Sequence, residues 1–372
     1  MRRIFLFILL ILSIPVNFFS QDFKQVADGI EYAEMRLGTE KEPVRLNLLR
    51  LDLTKVRLDV VHALDAAVGT EKTSSIATRY NAIAAINAGF FKIGGLYNGD
   101  AAGVLQIDNL TYSESFAGRI ALMITNKTEK TEVSIERANV SYSIKVDKKN
   151  YEIAANRQRG ENDLVLFTPE FHRTTLTNKD GVEFIVRKNR VLQIIDGKGS
   201  NKIYDDGYVI SASGKRREEL LRWLKAGKKI EISIRYSSPD IMPNPTFNQV
   251  EDIVGGVPQL IKKGKIEITW REEKSSKEFV ETKHPRTAVA KLKDGKFLMM
   301  TVDGRQPTHS IGMNLNELAE LLLELGATDA MNLDGGGSTT MFLDGKVMNK
   351  PSDKEGERSV SDAILVFPRK KN

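Results

Sequence analysis

The sequence has 372 residues, no cysteine, and a net charge of +6 that is spread over many lysines and arginines. Its length allows one large domain or two ordinary ones, while the lack of cysteine excludes disulfides, thiolate metal sites and a cysteine nucleophile. A modest, dispersed charge without a basic stretch rich in aromatics argues against a nucleic acid partner and fits an anionic small substrate or a cell-envelope polymer better.

The N-terminus has the pattern of a secretory signal. Arg2 and Arg3 precede an apolar run over residues 4–15, which is too short to serve as a stable membrane anchor. Cleavage after Ser20 would leave Gln21 as the first residue of the mature chain. Because no other apolar run approaches membrane-spanning length, we expect residues 1–20 to be a signal peptide. The mature protein would then be exported, periplasmic or extracellular, with no membrane span.

The first predicted elements are strands. Apolar and polar residues alternate over 44–53 and 56–61, which indicates two strands joined by a short turn. Hydroxyl residues at 73–75 start a short helix that runs to about Tyr80. We therefore predict a strand-rich lead-in over residues 21–80 that packs on a main domain over residues 81–368.

The apolar strand 82–86 ends in a group of residues suited to a pocket wall. Asn87 offers an amide that can bind a hydroxyl, Gly89 allows close approach, and Phe90 and Phe91 offer rings that can stack on a ligand. Core aromatics beside a structural asparagine explain this stretch equally well.

The middle of the chain, about residues 111–245, is rich in predicted strands and carries little recognisable chemistry. A short helix is predicted over 216–225, and a proline-rich connection follows at 237–245. We interpret this region as an insertion that shapes the substrate site. After it, Gly255 and Gly256 interrupt a strand, which indicates backbone brought close to another group.

Two further strands deliver charged residues at their ends. His284 and Arg286 open a buried strand, and the planar guanidinium of Arg286 is suited to a carboxylate or phosphate, with a surface ion pair as the alternative. The strand 298–302 then leads into Asp303 and Arg305. Thr287, next to Arg286, adds a hydroxyl.

A helix connects these strands to the last motif. Asn314 and Glu317 have the spacing of a capping box, an apolar leucine stripe follows, and Gly326 ends the helix. We expect this helix to return the chain so that the strand containing Asp334 lies beside the strand of Asp303. Two carboxylates would then meet at one edge of the sheet.

The last motif is the most distinctive stretch. Asn332 and Asp334 end an apolar strand, Gly335, Gly336 and Gly337 follow, and then come Ser338 and Thr339. A carboxylate can act as base, nucleophile or metal ligand, while glycine amides and hydroxyls can donate to an anionic oxygen. The alternative is a tight strand connection with a capping aspartate.

Together these motifs resemble the phosphodiester glycosidase family. They occur in the order of that family over about residues 81–367, and residues 24–80 resemble the lead-in that bacterial members carry. The motifs are 85–91, 255–256, 284–288, 302–305, 315–326 and 332–340. For the fold we expect an α+β class with a large mixed, mainly antiparallel sheet and a few packed helices.

The resemblance implies hydrolysis of a sugar-1-phosphodiester, such as an N-acetylglucosamine-1-phosphodiester, at the anomeric C1–O bond. Asp334 and Asp303 would be the carboxylates at the reacting carbon, and their separation would set inversion or retention. Arg286 and Arg305 would hold the phosphate, and His284 or His309 would carry a proton. The implied substrate-binding residues are Asn87, Gly89, Phe90, Phe91, Gly255, Gly256, Thr287, Asn332, Gly335, Gly336, Gly337, Ser338 and Thr339.

Other interpretations stay open from the sequence. No cofactor is required, although Asp303, Asp334 and Asn332 could share Mg²⁺ or Ca²⁺ through oxygen ligands. A paired-aspartate protease would need a second Asp-Thr/Ser-Gly turn, which Asp303 and Gly304 supply poorly. A non-catalytic protein that binds envelope glycans or sugar phosphates is the alternative function.

Overall fold

The computed structural model describes residues 22–116, 118–238 and 250–369. The predicted signal peptide and most of the proline-rich connection lie outside these ranges. In the part of the chain that is described, strands dominate and the helices are short. None of the described helices has the length and apolar character needed to cross a membrane.

The helices are α1 (Thr73–Arg79), α2 (Gly214–Trp223), α3 (Lys277–Glu281) and α4 (Leu315–Glu324), with short 3-10 turns at Ala63–Asp65 and Gly336–Ser338. The strands are β1 (Lys24–Ala27), β2 (Ile30–Gly38), β3 (Pro43–Leu51), β4 (Val56–His62), β5 (Glu71–Lys72), β6 (Ala84–Asn87), β7 (Leu105–Ile107), β8 (Leu110–Ser113), β9 (Ile120–Asn126), β10 (Thr131–Arg137), β11 (Asn139–Val146), β12 (Lys149–Ala155), β13 (Leu164–Phe167), β14 (Gly181–Arg187), β15 (Arg190–Asp196), β16 (Gly207–Ser213), β17 (Glu231–Ser237), β18 (Asp252–Gly255), β19 (Gln259–Lys262), β20 (Lys265–Ile266), β21 (Arg286–Leu292), β22 (Phe297–Val302), β23 (Ala327–Asn332), β24 (Met341–Leu343), β25 (Lys346–Val347), β26 (Ser359–Val360) and β27 (Asp362–Pro368).

The strands form several sheets, and their pairing is mainly antiparallel. The largest sheet has eight strands in the order β1-β2-β3-β22-β21-β23-β19-β20. Two five-stranded sheets have the orders β25-β24-β6-β27-β4 and β10-β9-β18-β7-β8, and β26 pairs with β5. The predicted antiparallel character and the small number of helices are confirmed, but the fold is richer in strands than a balanced α+β protein and divides them among separate sheets.

A seven-stranded sheet is built entirely from the middle of the chain, in the order β15-β14-β16-β13-β12-β11-β17. Phe184 and Ile210 of this sheet pack into an apolar core that also contains Ala121 of β9 and Ile253 of β18. The lead-in strands β2 and β3, by contrast, are part of the eight-stranded sheet, and β4 pairs with the last strand, β27. The division into lead-in, main domain and insertion stays a prediction.

The central strands of the eight-stranded sheet are buried on both faces. In β21, Val289 packs into the core shared with the five-stranded sheets, while Ala288 and Ala290 face the core beneath α4. Burial on both faces explains why this strand has an unbroken apolar run instead of an alternating pattern.

Helix α4 forms where the sequence predicts a helix, and it covers one face of this sheet. The Asn314 side chain accepts from the Glu317 amide at 2.9 Å, and the Glu317 side chain accepts from the Asn314 amide at 3.0 Å, which completes the capping box. Leu318 and Leu322 are fully buried against the sheet. Gly326 follows the helix with φ of +89°, a conformation that glycine adopts without strain.

Candidate functional site

The predicted site residues meet at one edge of the eight-stranded sheet. Strand β21 begins at this edge, and its antiparallel neighbours β22 and β23 end there. The edge therefore carries His284 and Arg286, then Asp303, and then Asp334. The expectation that the Asp334 strand lies beside the Asp303 strand is wrong, because β21 lies between β22 and β23. A sequence pattern shows where strands end but not which strands pair.

Asp334 follows β23 and is held by backbone contacts on both sides. Its N–H donates to the Ala88 carbonyl at 2.9 Å, and its Oδ1 accepts from the Gly335 N–H at 2.9 Å. Although the residue is partly exposed, protein atoms surround its carboxyl group. This desolvation raises the pKa of Asp334 to about 7, the charge of Asp362 adds to the rise, and Ser338, the Gly335 amide and Arg358 oppose it.

The glycine turn after Asp334 is packed against two arginines. A Cβ on Gly336 would lie 3.0 Å from Nη2 of Arg305, and a Cβ on Gly337 would collide with the guanidinium of Arg358. The Gly336 N–H donates to the Pro285 carbonyl at 2.9 Å. The turn thus needs glycine for close approach, and it places two cations beside Asp334.

Arg358 is held in turn by Asp353. Its Nε donates to Asp353 Oδ2 at 2.7 Å and its Nη2 donates to Oδ1 at 3.0 Å. A bidentate pair of this kind fixes the plane of the guanidinium as well as its position. Arg358 lowers the pKa of Asp334, so its charge acts on the carboxyl group directly.

Asn87, at the end of β6, ties the two sheets together beneath Asp334. Its Nδ2 donates to the Asp334 carbonyl at 2.6 Å, and its Oδ1 accepts from the Thr287 hydroxyl at 2.8 Å and the Thr340 amide at 3.0 Å. The side chain is fully buried. Asn87 therefore positions the Asp334 backbone, and its three contacts leave little capacity for a sugar hydroxyl. The Thr287 hydroxyl also reaches that of Thr339 at 3.5 Å.

Gly89 lies between Asp334 and a second buried carboxylate. Its N–H donates to Oδ1 of Asp362 at 2.5 Å, while the Ala88 N–H donates to the Asp362 carbonyl at 3.2 Å. Burial raises the pKa of Asp362. A side chain on Gly89 would meet this carboxylate and Val254.

Arg286 is used mainly for structure. It is 1 % exposed, its Nε donates to the Met313 carbonyl at 3.0 Å, and its Nη2 donates to the carbonyls of Phe279 and Thr282, each at 2.8 Å. Burial lowers its pKa to about 10, with Arg305 contributing. Nη1 has no hydrogen bond among the described residues, so it is the atom that a phosphate could engage.

His284 lies near Arg286 and Arg305 at this edge. Its Nδ1 is 3.4 Å from Nη2 of Arg305. Burial lowers the pKa of His284, and the charges of Arg286 and Arg305 lower it further. The neutral form of the imidazole is therefore favoured, and a neutral nitrogen beside a guanidinium accepts a hydrogen bond from it.

Asp303 has partners of its own, separate from those of Asp334. Its Oδ2 is 2.8 Å from Nε2 of His309, and the Lys350 N–H lies 3.1 Å from both carboxylate oxygens. The Asp303 carbonyl accepts from the Ser310 hydroxyl at 2.6 Å. These bonds close the turn that contains Arg305, whose φ of +60° marks its tip.

The remaining predicted residues line the surroundings of the site. Phe90 packs edge-to-face on Phe279 with ring centroids 6.2 Å apart, and Phe91 pairs with Ala101. Gly255 lies against the backbone of Val104, where a Cβ would be 3.2 Å from the carbonyl oxygen. The close approach predicted for this glycine is confirmed.

Asn332 is turned toward Gly256 and its neighbour Val257. Its Nδ2 donates to the Val257 carbonyl at 2.7 Å, and the Asn332 carbonyl leaves no space for a Cβ on Gly256. The Asn332 amide is thus engaged by Val257, and Asp303 and Asp334 have separate partners. These contacts give no support to a cation shared by Asn332, Asp303 and Asp334. Within the described ranges, no three Asp, Glu or His side chains are grouped as a metal site would require.

Sequence reasoning did not assign Arg358, Asp353 or Asp362 to the site. One signal was available: Asp362 opens a strand that is otherwise apolar, and a carboxylate at the start of a buried strand needs an explanation. Arg358 and Asp353 lie in a polar tail with no comparable pattern.

Comparison with known proteins places this arrangement in a family. A family model described as phosphodiester glycosidase matches residues 180–367, which are 188 of the 372 residues. N-acetylglucosamine-1-phosphodiester alpha-N-acetylglucosaminidase from Mus musculus is 30% identical over 178 residues, 45% of this chain and 33% of the relative. The enzyme of that name from Homo sapiens is 36% identical over 117 residues, 29% of this chain and 22% of the relative. The chain thus spans about a third or less of the length of these relatives.

Solved structures share the fold. A hypothetical protein from Synechocystis superposes with a TM-score of 0.79 at 23% identity, covering 92% of this chain and 63% of that chain. The catalytic domain of zebrafish N-acetylglucosamine-1-phosphodiester alpha-N-acetylglucosaminidase, auto-inhibited by its pro-peptide, superposes with a TM-score of 0.50 at 18% identity. That match covers 92% of this chain and 85% of the zebrafish chain.

Proposed function

The chain belongs to the phosphodiester glycosidase family, and on that premise we propose that it hydrolyses the anomeric C1–O bond of a sugar-1-phosphodiester. Water supplies the hydroxyl group that ends on C1, and the other product is a phosphomonoester. The observation that carries the proposal is the position of Asp334, a desolvated carboxyl group beside a glycine turn that Arg305 and Arg358 both approach closely.

The two arginines fit the leaving group of this reaction. As the C1–O bond breaks, negative charge grows on the phosphate, and cations held in place stabilise it without reorganising. A phosphate is already a good leaving group, so charge stabilisation contributes more than protonation. Arg305 and Arg358 supply that charge, and Nη1 of Arg286 lies on the same sheet edge.

Asp334 fits the other half of the reaction. Positive charge develops at C1 in an oxocarbenium-like transition state, and a carboxylate next to C1 stabilises it, attacks it, or removes a proton from the attacking water. With a pKa of about 7, Asp334 exists in both protonation states near neutral pH. A base whose pKa lies near the working pH is well matched to proton transfer.

The roles of the other predicted residues follow from their contacts. Asn87 and Thr287 hold the Asp334 backbone, and the Phe90 ring is available to stack on a sugar face. Asp303 holds the turn that contains Arg305 and acts through that arginine. One carboxylate, Asp334, therefore performs the chemistry.

The substrate class is part of the proposal. The relatives named above act on an N-acetylglucosamine-1-phosphodiester according to their names. The basic and apolar N-terminus has the pattern of a signal peptide, which implies that the protein is exported. The substrate would then be a sugar phosphodiester of the cell envelope or of an extracellular glycan.

Hydrolysis in ¹⁸O-labelled water tests the bond that is cleaved. The protein is incubated with N-acetylglucosamine-1-phospho-methyl-mannoside, and both products are analysed by mass spectrometry. Cleavage at C1–O places ¹⁸O in the free sugar and leaves the phosphomonoester unlabelled. Label in the phosphomonoester would show attack at phosphorus and overturn the glycosidase assignment. Binding without release of sugar from any phosphodiester in a panel would indicate a sugar-phosphate binding protein.

A further inference from the structure

A row of charged residues crosses three strands next to the candidate site. Arg36 on β2 lies directly opposite Arg45 on β3, and the Arg45 carbonyl accepts from the N–H of Asp303 at the end of β22. Residues two positions further along each strand lie on the same face of the sheet. Here they are Glu34, Asn47 and Thr301, which lie side by side on β2, β3 and β22. The edge of this face is polar, whereas the rest of it packs into the apolar core.

The pairing of Arg36 with Arg45 is unfavourable by itself. Like charges that face each other across two antiparallel strands repel and destabilise the sheet. Neither arginine side chain forms an ion pair among the described residues, although about two dozen other pairs occur in that part of the chain. The sheet therefore carries a concentration of positive charge that its own side chains do not neutralise.

The two arginines line a cavity of about 330 Å³, which we call the Arg36–Arg45 pocket. The charged and titratable side chains of its lining are Glu34, Arg36, Arg45, Asp303, His309 and Lys350. Asp303 is already engaged by His309 and the Lys350 amide, and Glu34 accepts from Tyr32 at 3.2 Å. Three cations thus face the pocket against two carboxylates, of which Asp303 is engaged by His309, so the lining carries an excess of positive charge.

The pocket adjoins the candidate site through shared residues. Asn349 lines the pocket, and its side chain donates to the Thr339 carbonyl at 2.9 Å and accepts from the Met341 amide at 2.7 Å. Asp303 lines the pocket two residues before Arg305, whose guanidinium contacts the glycine turn. Asp303 and Asn349 thus form a wall that the pocket shares with the candidate site.

We propose that the Arg36–Arg45 pocket binds a second phosphate group of the substrate, next to the phosphodiester that is cleaved. The inference rests on the proposed function and narrows it to substrates with more than one phosphate. A phosphate oxyanion would bind the two guanidiniums by charge-assisted hydrogen bonds and cancel their repulsion. The preferred substrate is then a sugar chain with repeated phosphodiesters, not a single unit.

The first test measures the thermal midpoint of unfolding of wild type and of the double variant Arg36→Gln/Arg45→Gln, with sodium phosphate or with sodium chloride at equal ionic strength. Without phosphate, the variant is expected to be the more stable protein, because the repulsion is gone. Phosphate is expected to raise the midpoint of wild type more than that of the variant. Any phosphate bound by Arg305 and Arg358 contributes equally to both proteins, so the difference reports on the pocket alone.

The second test compares KM and kcat for substrates with one and with two phosphodiesters. The double variant should have an unchanged KM and kcat for the single unit and a KM about 10-fold higher for the two-unit substrate, the loss expected for one or two charge-assisted bonds. Arg222→Gln, at an exposed arginine on α2, is the matched control and should behave as wild type in both tests.

The outcomes separate this inference from the proposed function. Equal responses of wild type and variant to phosphate would overturn the pocket as an anion site. A larger response of wild type with no difference in KM would show that the pocket takes free phosphate, which would overturn its assignment to the substrate. If no sugar phosphodiester is hydrolysed at all, the proposed function fails, while the thermal comparison still decides whether the pocket binds phosphate.

Discussion

The guanidinium of Arg358 lies against the backbone of Gly337, so closely that a Cβ at residue 337 would overlap both Arg358 and the carboxylate of Asp353. This contact sets the distance between the arginine and Asp334, which is three residues before Gly337. The absence of a side chain at position 337 is therefore a requirement of the site.

Gly337→Ala should reduce kcat/KM for a sugar-1-phosphodiester by about 10- to 100-fold, since a displacement of about 1 Å at a catalytic group has effects of this size. Gly337 does not have a positive φ, so alanine adds no backbone strain and the cost arises from the displaced ion pair. The circular dichroism spectrum should be unchanged. Gly160→Ala is the control, because its nearest neighbour would be at an ordinary 3.4 Å. Wild-type activity in Gly337→Ala would show that catalysis does not depend on the position of Arg358.

Arg305→Lys and Arg358→Lys should each lower kcat/KM by about 100-fold, which is the effect of losing one preorganised donor to a developing oxyanion. Lysine keeps the charge but not the planar pair of donors. The measurement is steady-state kinetics on the single-phosphodiester substrate. Arg222→Lys serves as the control and should be neutral. An effect on KM alone would mean that the arginine binds substrate and transition state equally.

The rate should depend on pH through Asp334. Because its pKa is raised to about 7, kcat/KM should rise from pH 5.5 to 8 and level off above the pKa, as Asp334 ionises. Arg358 favours the ionised form, so Arg358→Gln should move the midpoint of this rise to higher pH. A midpoint near 4 in wild type would contradict the role of Asp334 as the titrating base.

Another raised pKa lies away from the site and affects stability. Asp252 is buried and accepts from the amides of Val60 and Asp108, each at 2.9 Å; burial raises its pKa to about 7. Between pH 5 and 8 the folded state holds this proton more tightly than the unfolded state does, so stability falls as pH rises.

Denaturant unfolding of wild type and Asp252→Asn at pH 5 and pH 8 tests this linkage. The stability of wild type relative to the variant should decrease by about 2 kcal/mol over this range, because asparagine does not titrate. A difference that is the same at both pH values would show that Asp252 ionises normally in the folded protein.

Local features of the fold could be predicted from the sequence. The capping box at Asn314 and the leucine stripe of α4 are both determined within a few residues. The ends of the strands that lead to Asp303 and Asp334 could also be predicted, which put both residues at a sheet edge. What could not be predicted was pairing between distant segments: β3 and β4 are joined by a short turn yet belong to different sheets, because β3 pairs with β22 and β4 with β27.

The same limit applies to the site. Asp362 approaches Gly89 because β27 pairs with β6, and Arg358 reaches Gly337 through the turn after β25. Neither approach leaves a local pattern in the sequence. For Arg286, the predicted position at the start of a strand is confirmed. Its hydrogen bonds to three backbone carbonyls could not be predicted, because they depend on the packing of α3 and of the segment around Met313.

The most direct test of the proposed function is the release of free reducing sugar from N-acetylglucosamine-1-phospho-methyl-mannoside and other sugar-1-phosphodiesters by wild type beside Asp334→Asn. Asp205→Asn, at an exposed aspartate, is the matched control. We expect hydrolysis by wild type and Asp205→Asn, and a loss of at least about 1,000-fold in kcat for Asp334→Asn, since the reacting carboxylate is gone. Equal turnover by wild type and Asp334→Asn would contradict it.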